Sequence, residues 1–173
     1  MASARHLGFV AIVLLALPPP AAARDDQRLF DLAPALASPE GRDRFDDTIA
    51  FHWSEAETPP IERSFAVHTS ERRTFLPTRT EREACDQSFI EALAGLRDAA
   101  RKAGADAVVA IKSLHKNREF RSTTQYECRL SYFSATVTLE GRVVKLAPPG
   151  PVTTPVPPSA PETPEDAPGF QPG

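Results

Sequence analysis

This sequence has none of the short motifs that most often mark an enzyme active site. A P-loop (G-x-x-x-x-G-K-[ST]) and a G-x-G-x-x-G turn are both absent, so the backbone cradle that nucleotide phosphates require is missing. The G-x-S-x-G elbow of many serine hydrolases is also absent. We therefore expect no catalytic residues and no cofactor, and we predict that the protein is not an enzyme.

Histidine and cysteine are scarce, and their spacing does not favour a metal site. The four histidines are isolated along the chain, and none lies three to five residues from another or from a cysteine, the spacing that places two ligands on one metal. We predict no metal ligands. The alternative is a metal-binding protein that uses histidine and cysteine, with His52, His68 and His115 brought together across strands.

The apolar run at residues 7–17 is too short for a membrane span, which needs about 20 apolar residues. It follows Arg5 and His6 and leads to Ala21-Ala22-Ala23, the order of a secretory signal peptide with an A-x-A cleavage site. We predict a Sec-type signal peptide at residues 1–23, cleaved after Ala23. The mature protein would be periplasmic or secreted, with no membrane span.

The composition changes sharply at Pro148. Ten of the last 26 residues are proline, and the segment has almost nothing apolar to bury. Such sequences form extended, disordered tails because burial cannot offset the entropy of ordering the chain. We therefore predict a disordered Pro-rich tail at residues 148–173, which leaves residues 24–147 as a single domain.

A long amphipathic helix is predicted from Thr80 to Gly104. The sequence Thr80-Glu81-Arg82-Glu83 is a capping box, and Gly104 is a helix stop that can take the left-handed conformation. Between them, apolar residues recur at offsets of three and four and so share one helix face. These residues are Cys85, Phe89, Ala92, Leu93, Leu96, Ala100 and Ala103.

Alternating or β-branched segments predict strands on both sides of this helix. Residues 48–53 and 61–68 alternate before it, and residues 105–111 form a short apolar run after it. A longer strand starts near Gln125 and changes phase near Ser131, which predicts a β-bulge there. With a short helix at residues 39–45, the pattern favours an α+β fold, a small antiparallel sheet of about four strands with the long helix packed across one face.

The two cysteines are predicted to meet where the helix packs on the sheet. Cys85 lies on the apolar face of the helix, and Cys128 lies on the inner face of a strand. An exported protein matures in an oxidising compartment, which favours a disulfide over two buried free thiols. A bond that closes so long a loop stabilises the fold by roughly 4 kcal/mol in the chain-entropy model.

Charge is distributed unevenly along the chain. Residues 24–62 carry ten acidic and four basic residues, whereas residues 63–129 carry nine acidic and thirteen basic. Either one segment folds back on the other, or a basic patch stays free for an anionic partner. We take Arg118, Arg121 and Arg129 as candidate anion- or partner-binding residues. Aromatic residues lie between these cations, as in surfaces for single-stranded nucleic acid, but export disfavours a nucleic-acid partner.

The run Ala-Arg-Lys-Ala-Gly-Ala-Asp-Ala-Val-Val-Ala-Ile at residues 100–111 resembles the small YbjQ-like α+β family. It is also similar to the related domain of the bacterial Rcs envelope-stress sensor lipoprotein. In YbjQ-like proteins a helix leaves through a G-A-[DN]-A-[VI] segment into a strand and packs on an antiparallel sheet. Some are labelled heavy-metal-binding domains, and some assemble as rings. No cysteine stands at the cleavage site here, so the lipid anchor of the stress sensor is not expected.

The layout also resembles exported proteobacterial proteins that often carry the automatic name excinuclease ATPase subunit. Because the phosphate-binding loop is missing, an excinuclease-like nucleic-acid enzyme is the disfavoured alternative. We predict instead an exported, non-enzymatic periplasmic protein that acts as a binding or envelope-associated module. Its partner would be an unknown envelope protein or an anionic surface component, and no oligomeric state is predicted.

Overall fold

The computed structural model describes residues 26–45, 48–116 and 118–148. The predicted signal peptide, and the predicted tail from residue 149 onward, lie outside these residues. Within them the chain forms seven strands and three helices. In chain order they are β1 (Asp26–Asp31), α1 (Leu32–Leu36), α2 (Pro39–Arg44), β2 (Ala50–Phe51), β3 (Ile61–Phe75), α3 (Glu81–Ala103), β4 (Ala107–His115), β5 (Arg118–Phe120), β6 (Gln125–Leu130) and β7 (Ser134–Leu146).

The strands form one mixed, seven-stranded sheet, so the predicted antiparallel sheet of about four strands is wrong. The sheet is mixed because β2 runs parallel to β4, whereas the other paired strands are antiparallel. Strands β1 and β5 were not predicted. Both are largely exposed, and therefore neither needs the apolar alternation by which half-buried strands are recognised.

Strand β7 is the centre of the sheet. One edge pairs with β3 along nearly its whole length. The other edge pairs first with β6, through Ala135 and Thr136, and then with β4 from Leu139 onward. Strand β3 continues to Phe75, seven residues beyond its predicted end, because its later residues are mostly polar and exposed and give no hydrophobic signal.

The phase change near Ser131 comes from a chain reversal, and the predicted β-bulge there is wrong. Strands β6 and β7 form a hairpin in which Leu130 pairs with Ala135. The turn is closed by the Ser131 amide, which donates to the Ser134 carbonyl at 2.9 Å. The two aromatic residues of the turn, Tyr132 and Phe133, are about two-thirds exposed.

A β-bulge does occur, in β4 opposite Gly141. Val109 pairs with Arg142 and Lys112 with Glu140, so two residues of β4 face one of β7. The first of the two, Ala110, has a φ of 53°. A Cβ on Gly141 would lie 2.5 Å from Val108 Cγ1, so only glycine fits beneath the bulge. Gly141 lies inside β7, where it pairs with His68 of β3.

The long helix is confirmed, and it packs across β7 and β3. Thr80 caps it: its hydroxyl accepts from the Glu83 amide at 3.2 Å, and its amide donates to the Glu83 carboxylate at 2.9 Å. Gly104 ends it with a φ of 68°. Of the seven predicted apolar-face residues, six are buried, and Ala103 at the last turn is exposed.

The core lies between α3 and one face of the sheet. The rings of Phe89 on α3 and Tyr126 on β6 stack with their centroids 4.3 Å apart. The Tyr126 hydroxyl donates to Asp86 Oδ1 at 2.6 Å, and burial together with this bond raises the pKa of Tyr126 far above its usual range. Among the described residues, no helix has the length and apolar character that a membrane crossing requires.

The predicted disulfide is confirmed. Cys85 on α3 and Cys128 on β6 are bonded, with their Cα atoms 5.9 Å apart, and both are completely buried. The bond therefore joins the first turns of the helix to a strand that follows 43 residues later. It holds α3 against the sheet at the side opposite β3.

We expect loss of the disulfide to destabilise the fold. Cys85→Ser, Cys128→Ser and the double variant should each lower the free energy of unfolding by about 2 to 5 kcal/mol, the usual cost of losing a native disulfide. Urea unfolding measures this, and reduced wild-type protein is the matched control. Equal unfolding midpoints for oxidised wild type and the double variant would contradict the expectation.

We expect Gly141→Ala to destabilise the protein by about 1 to 3 kcal/mol, the usual cost of overpacking a core site. The added methyl group would overlap the Val108 side chain. Combining it with Val108→Ala frees that space, so the double variant should lose less stability than the sum of the single losses. Thermal or urea unfolding measures all three variants, and strict additivity would refute the steric explanation.

Candidate functional site

A polar pocket opens on the sheet face opposite α3. It lies where β7 stops pairing with β6 and starts pairing with β4. Strands β4 and β6 therefore separate beside Thr138. The hollow has a volume of about 310 Å³. We call it the sheet pocket, and the lining residues used below are Glu71, His115, Lys116, Glu127, Arg129 and Thr138.

Strand alternation places these side chains in the pocket. On β6, Tyr126 and Cys128 point into the core, so the residues between and after them, Glu127 and Arg129, point to the opposite face. On β7, Val137 is buried in the core and Thr138 faces the pocket. The same alternation that builds the core therefore gathers charged and hydroxyl groups on the open face.

One carboxylate oxygen of Glu127 has no hydrogen-bond partner among the described residues. This atom, Oε1, is buried. The Nη2 atom of the Arg118 guanidinium lies 3.8 Å from Oε1, within ion-pair range but too far for a hydrogen bond. A buried carboxylate oxygen left unsatisfied is costly, so this atom favours a donor arriving from outside the fold.

The second carboxylate of the pocket, Glu71, is held by a neighbour on the sheet. The Thr138 hydroxyl donates to Glu71 Oε2 at 2.9 Å. This bond fixes the side chain at the β3 side of the pocket, whereas Glu127 and Arg129 lie at the β6 side. The pocket thus presents two carboxylates together with the cationic groups of Lys116 and Arg129.

A charge cluster lies beside the pocket on the same face. The Lys112 ammonium binds Glu140 at 2.9 Å and also binds Glu119, which pairs with Arg121 at 2.9 Å. The bonds to Glu119 and then to Glu140 raise the pKa of Lys112. The same contacts, from Lys112 first and Arg121 second, lower the pKa of Glu119.

The structure distributes the three predicted arginines over neighbouring but different positions. Arg129 lines the sheet pocket, and Arg118 lies beside Glu127 and donates to Gln27 on β1. Arg121 pairs with Glu119 and lines a second hollow of about 430 Å³ next to Trp53. Anion binding by these residues stays a prediction.

Neither carboxylate of the pocket, Glu71 or Glu127, was predicted from the sequence. The signal for Glu127 was present, because a charged residue between two core residues of a strand must lie on the opposite face. Glu71 lies three residues beyond His68, the predicted end of its strand, so no pattern placed it on the sheet. The hydroxyl partner Thr138 depends on the pairing of β3 with β7, which no local pattern shows.

The histidines and cysteines do not form a metal centre in the described part of the chain. No group of three or more His, Cys, Asp or Glu residues there has a geometry that could hold a metal ion. Cys85 and Cys128 are bonded to each other, so a site that uses cysteine thiolates would first require reduction of that bond.

No family model, curated protein or solved structure matches this chain. The resemblance to YbjQ-like proteins and to the Rcs sensor domain therefore stays a prediction.

The charge cluster should make stability depend on acid pH. Because the folded-state pKa of Glu119 lies below its unfolded value, the stabilisation is present above that unfolded value, about 4.3, and is lost as the pH falls below it. Lys112→Met removes the main cause of the shift. Between about pH 6 and pH 3, the variant should therefore lose less free energy of unfolding than the wild type.

Lys145→Met is the matched control, because Lys145 is an exposed β7 residue without a described ion pair. Its loss of stability over the same pH range should equal that of the wild type. Urea unfolding at a series of pH values measures all three proteins, and parallel curves for wild type and Lys112→Met would refute the assignment.

Proposed function

We propose that this chain is an exported, non-enzymatic binding protein, and that the sheet pocket binds a small zwitterionic ligand. The observation that carries the proposal is Glu127 Oε1, a buried acceptor with no hydrogen-bond partner among the described residues, inside a pocket that opens to solvent. A cationic N–H donor on a ligand would satisfy this oxygen and would interact with the carboxylate charge.

The other charged residues of the pocket indicate which further groups the ligand would carry. The second carboxylate of the pocket, that of Glu71 at its β3 side, adds to the attraction for a cationic group. Arg129 and Lys116 carry donors suited to a carboxylate on the same ligand. The volume of about 310 Å³ is at the lower end of small-molecule sites, which favours an amino acid or a short peptide.

Export is supported by the disulfide and by the sequence before the domain. A buried disulfide persists in oxidising compartments such as the periplasm and is rare in a reducing cytosol. The sequence of residues 1–23 has the charged start, apolar centre and A-x-A site of a signal peptide. We therefore place the binding function in the bacterial envelope, with periplasmic location as part of the proposal.

Three matched probes test the ligand class. They are the dipeptide dialanine, its N-acetyl derivative, which lacks the ammonium group, and its C-terminal amide, which lacks the carboxylate. We expect dialanine to bind most tightly, because only it engages charges of both signs. Isothermal titration calorimetry measures the affinities on protein purified from the periplasm, whose intact mass also tests removal of residues 1–23.

Glu127→Gln removes the carboxylate charge and keeps the side-chain shape. We expect it to weaken binding of dialanine and of the amide by at least about tenfold, or about 1.4 kcal/mol, and to leave the N-acetyl derivative unchanged. Glu57→Gln, an exposed substitution outside the pocket, is the control and should leave all three affinities unchanged. The proposal fails if no probe binds, or if both variants bind dialanine as the wild type does.

A further inference from the structure

Strand β3 has a long edge that is left unpaired by every other described strand. It spans 15 residues and pairs with β7 on one side only; within the described part of the chain nothing pairs with its other side. An exposed edge presents a row of backbone donors and acceptors that can pair with another strand. Irregularities before Arg63 and before Val67 interrupt the ladder, so the regular part of the edge is residues 67–75.

The two faces of this regular segment differ in their contacts. Ser70 and Thr74 point toward α3: the Thr74 hydroxyl is bonded to Ser88, and Ser70 packs against Gly95. The alternate residues therefore lie on the open face of the sheet. They are Val67, Thr69, Glu71, Arg73 and Phe75.

Three residues of this open-face row lack, among the described residues, the neighbours that their side chains favour. Val67 is 54% exposed and Phe75 is 61% exposed, although both are large and apolar. Arg73 is exposed and has no ion pair with any described residue. Val67 lies four residues before Glu71, and Phe75 lies four residues after it. The two exposed apolar side chains of the row are therefore equally far from Glu71.

We propose that two copies of this chain pair antiparallel through β3, about a two-fold axis at Glu71. In such a pairing, each residue n positions after Glu71 faces the residue n positions before Glu71 on the other copy. Phe75 then faces the partner's Val67, and Arg73 faces the partner's Thr69. Because the interface is isologous, both contacts occur twice.

The apolar contact selects this register. Pairing about Glu71 places Phe75 opposite the partner's Val67, whereas a register centred on Arg72 places Phe75 opposite the partner's Thr69, and one centred on Ser70 places Val67 opposite the partner's Arg73. The two Glu71 side chains then face each other, which is unfavourable. Each also has the partner's Arg73 as its diagonal neighbour, roughly 7 to 8 Å away, and this attraction offsets the repulsion.

The helix side of the same edge supplies an independent observation. Ser70 is only 4% exposed, and its Oγ has no hydrogen-bond partner among the described residues. Pairing about Glu71 places the partner's Arg72 directly opposite Ser70. A guanidinium donor there would satisfy the buried hydroxyl oxygen, whereas an extended peptide of unrelated sequence would bring no such group to this position.

Substitutions on the two sheet edges test the interface. Phe75→Lys places a charge at the apolar contact and should raise the dimer dissociation constant by at least about tenfold. Leu29→Lys is the matched control, because Leu29 is an exposed apolar residue on a different edge strand, β1, and should leave dimerisation unchanged. Sedimentation velocity over a range of protein concentrations measures the constant for the disulfide-bonded chain.

Charge reversal tests the electrostatic contact across the axis separately. Arg73→Glu gathers four carboxylates at the axis and should also weaken the dimer by at least about tenfold. Adding Glu71→Arg to that variant restores the alternation of charge and should return the constant to near the wild-type value. Thermal melts establish that each variant is folded, which is expected because the substituted residues are exposed.

The outcomes that overturn the proposal are a single chain at every concentration, a larger closed ring, or a dimer that tolerates Phe75→Lys. Failure of Glu71→Arg to rescue Arg73→Glu would also overturn the proposal. A dimer that is weakened by Phe75→Lys and by Arg73→Glu, and is restored when Glu71→Arg is added to Arg73→Glu, supports it.

Discussion

The whole architecture depends on one strand, β7, whose two edges are both paired. It carries β3 along one edge and, on the other, β6 followed by β4. Because three strands depend on the same backbone, a slip in the register of β7 would move their side chains together to the wrong faces. Gly141 fixes that register locally, since the bulge of β4 fits over the sheet only where β7 has no side chain.

The two faces of the sheet are specialised by this arrangement. One face is covered by α3 and held by a buried disulfide, and it contains the apolar core. The other face carries the polar pocket and the cluster around Lys112. A covalently fixed core face and an open, charged face form a suitable platform for binding, because three of the four charged groups that would contact a ligand, Glu71, Glu127 and Arg129, stand on strands.

Local chemistry explains what could be predicted from the sequence. The helix, its Thr80 cap, its Gly104 stop and the position of Cys85 all follow from neighbours within a few residues, and the structure confirms them. The pairing with Cys128 could be predicted because both cysteines lie on apolar faces.

What sequence analysis missed depends on distant partners. A hairpin and a bulged strand produce the same change of phase, so the reversal at Ser131 was misinterpreted. Exposed strands such as β1 carry no apolar alternation. The pocket exists because β4 and β6, which are separate in sequence, part beside Thr138. No periodicity within a single strand encodes that separation.

The order of the strands also has a consequence for the timing of folding. Within the described residues, β1 pairs only with β6, and β3 only with β7. Asp26 therefore cannot pair before Leu130 has been synthesised, nor Phe75 before Ser134. Sheets built from such non-local pairs form slowly, because the entropy of closing long loops is lost before strand pairing stabilises the chain. Nearly the entire domain must therefore be synthesised before its sheet can close. A nascent chain that remains open for so long is a good substrate for a translocation channel that accepts only unfolded polypeptide.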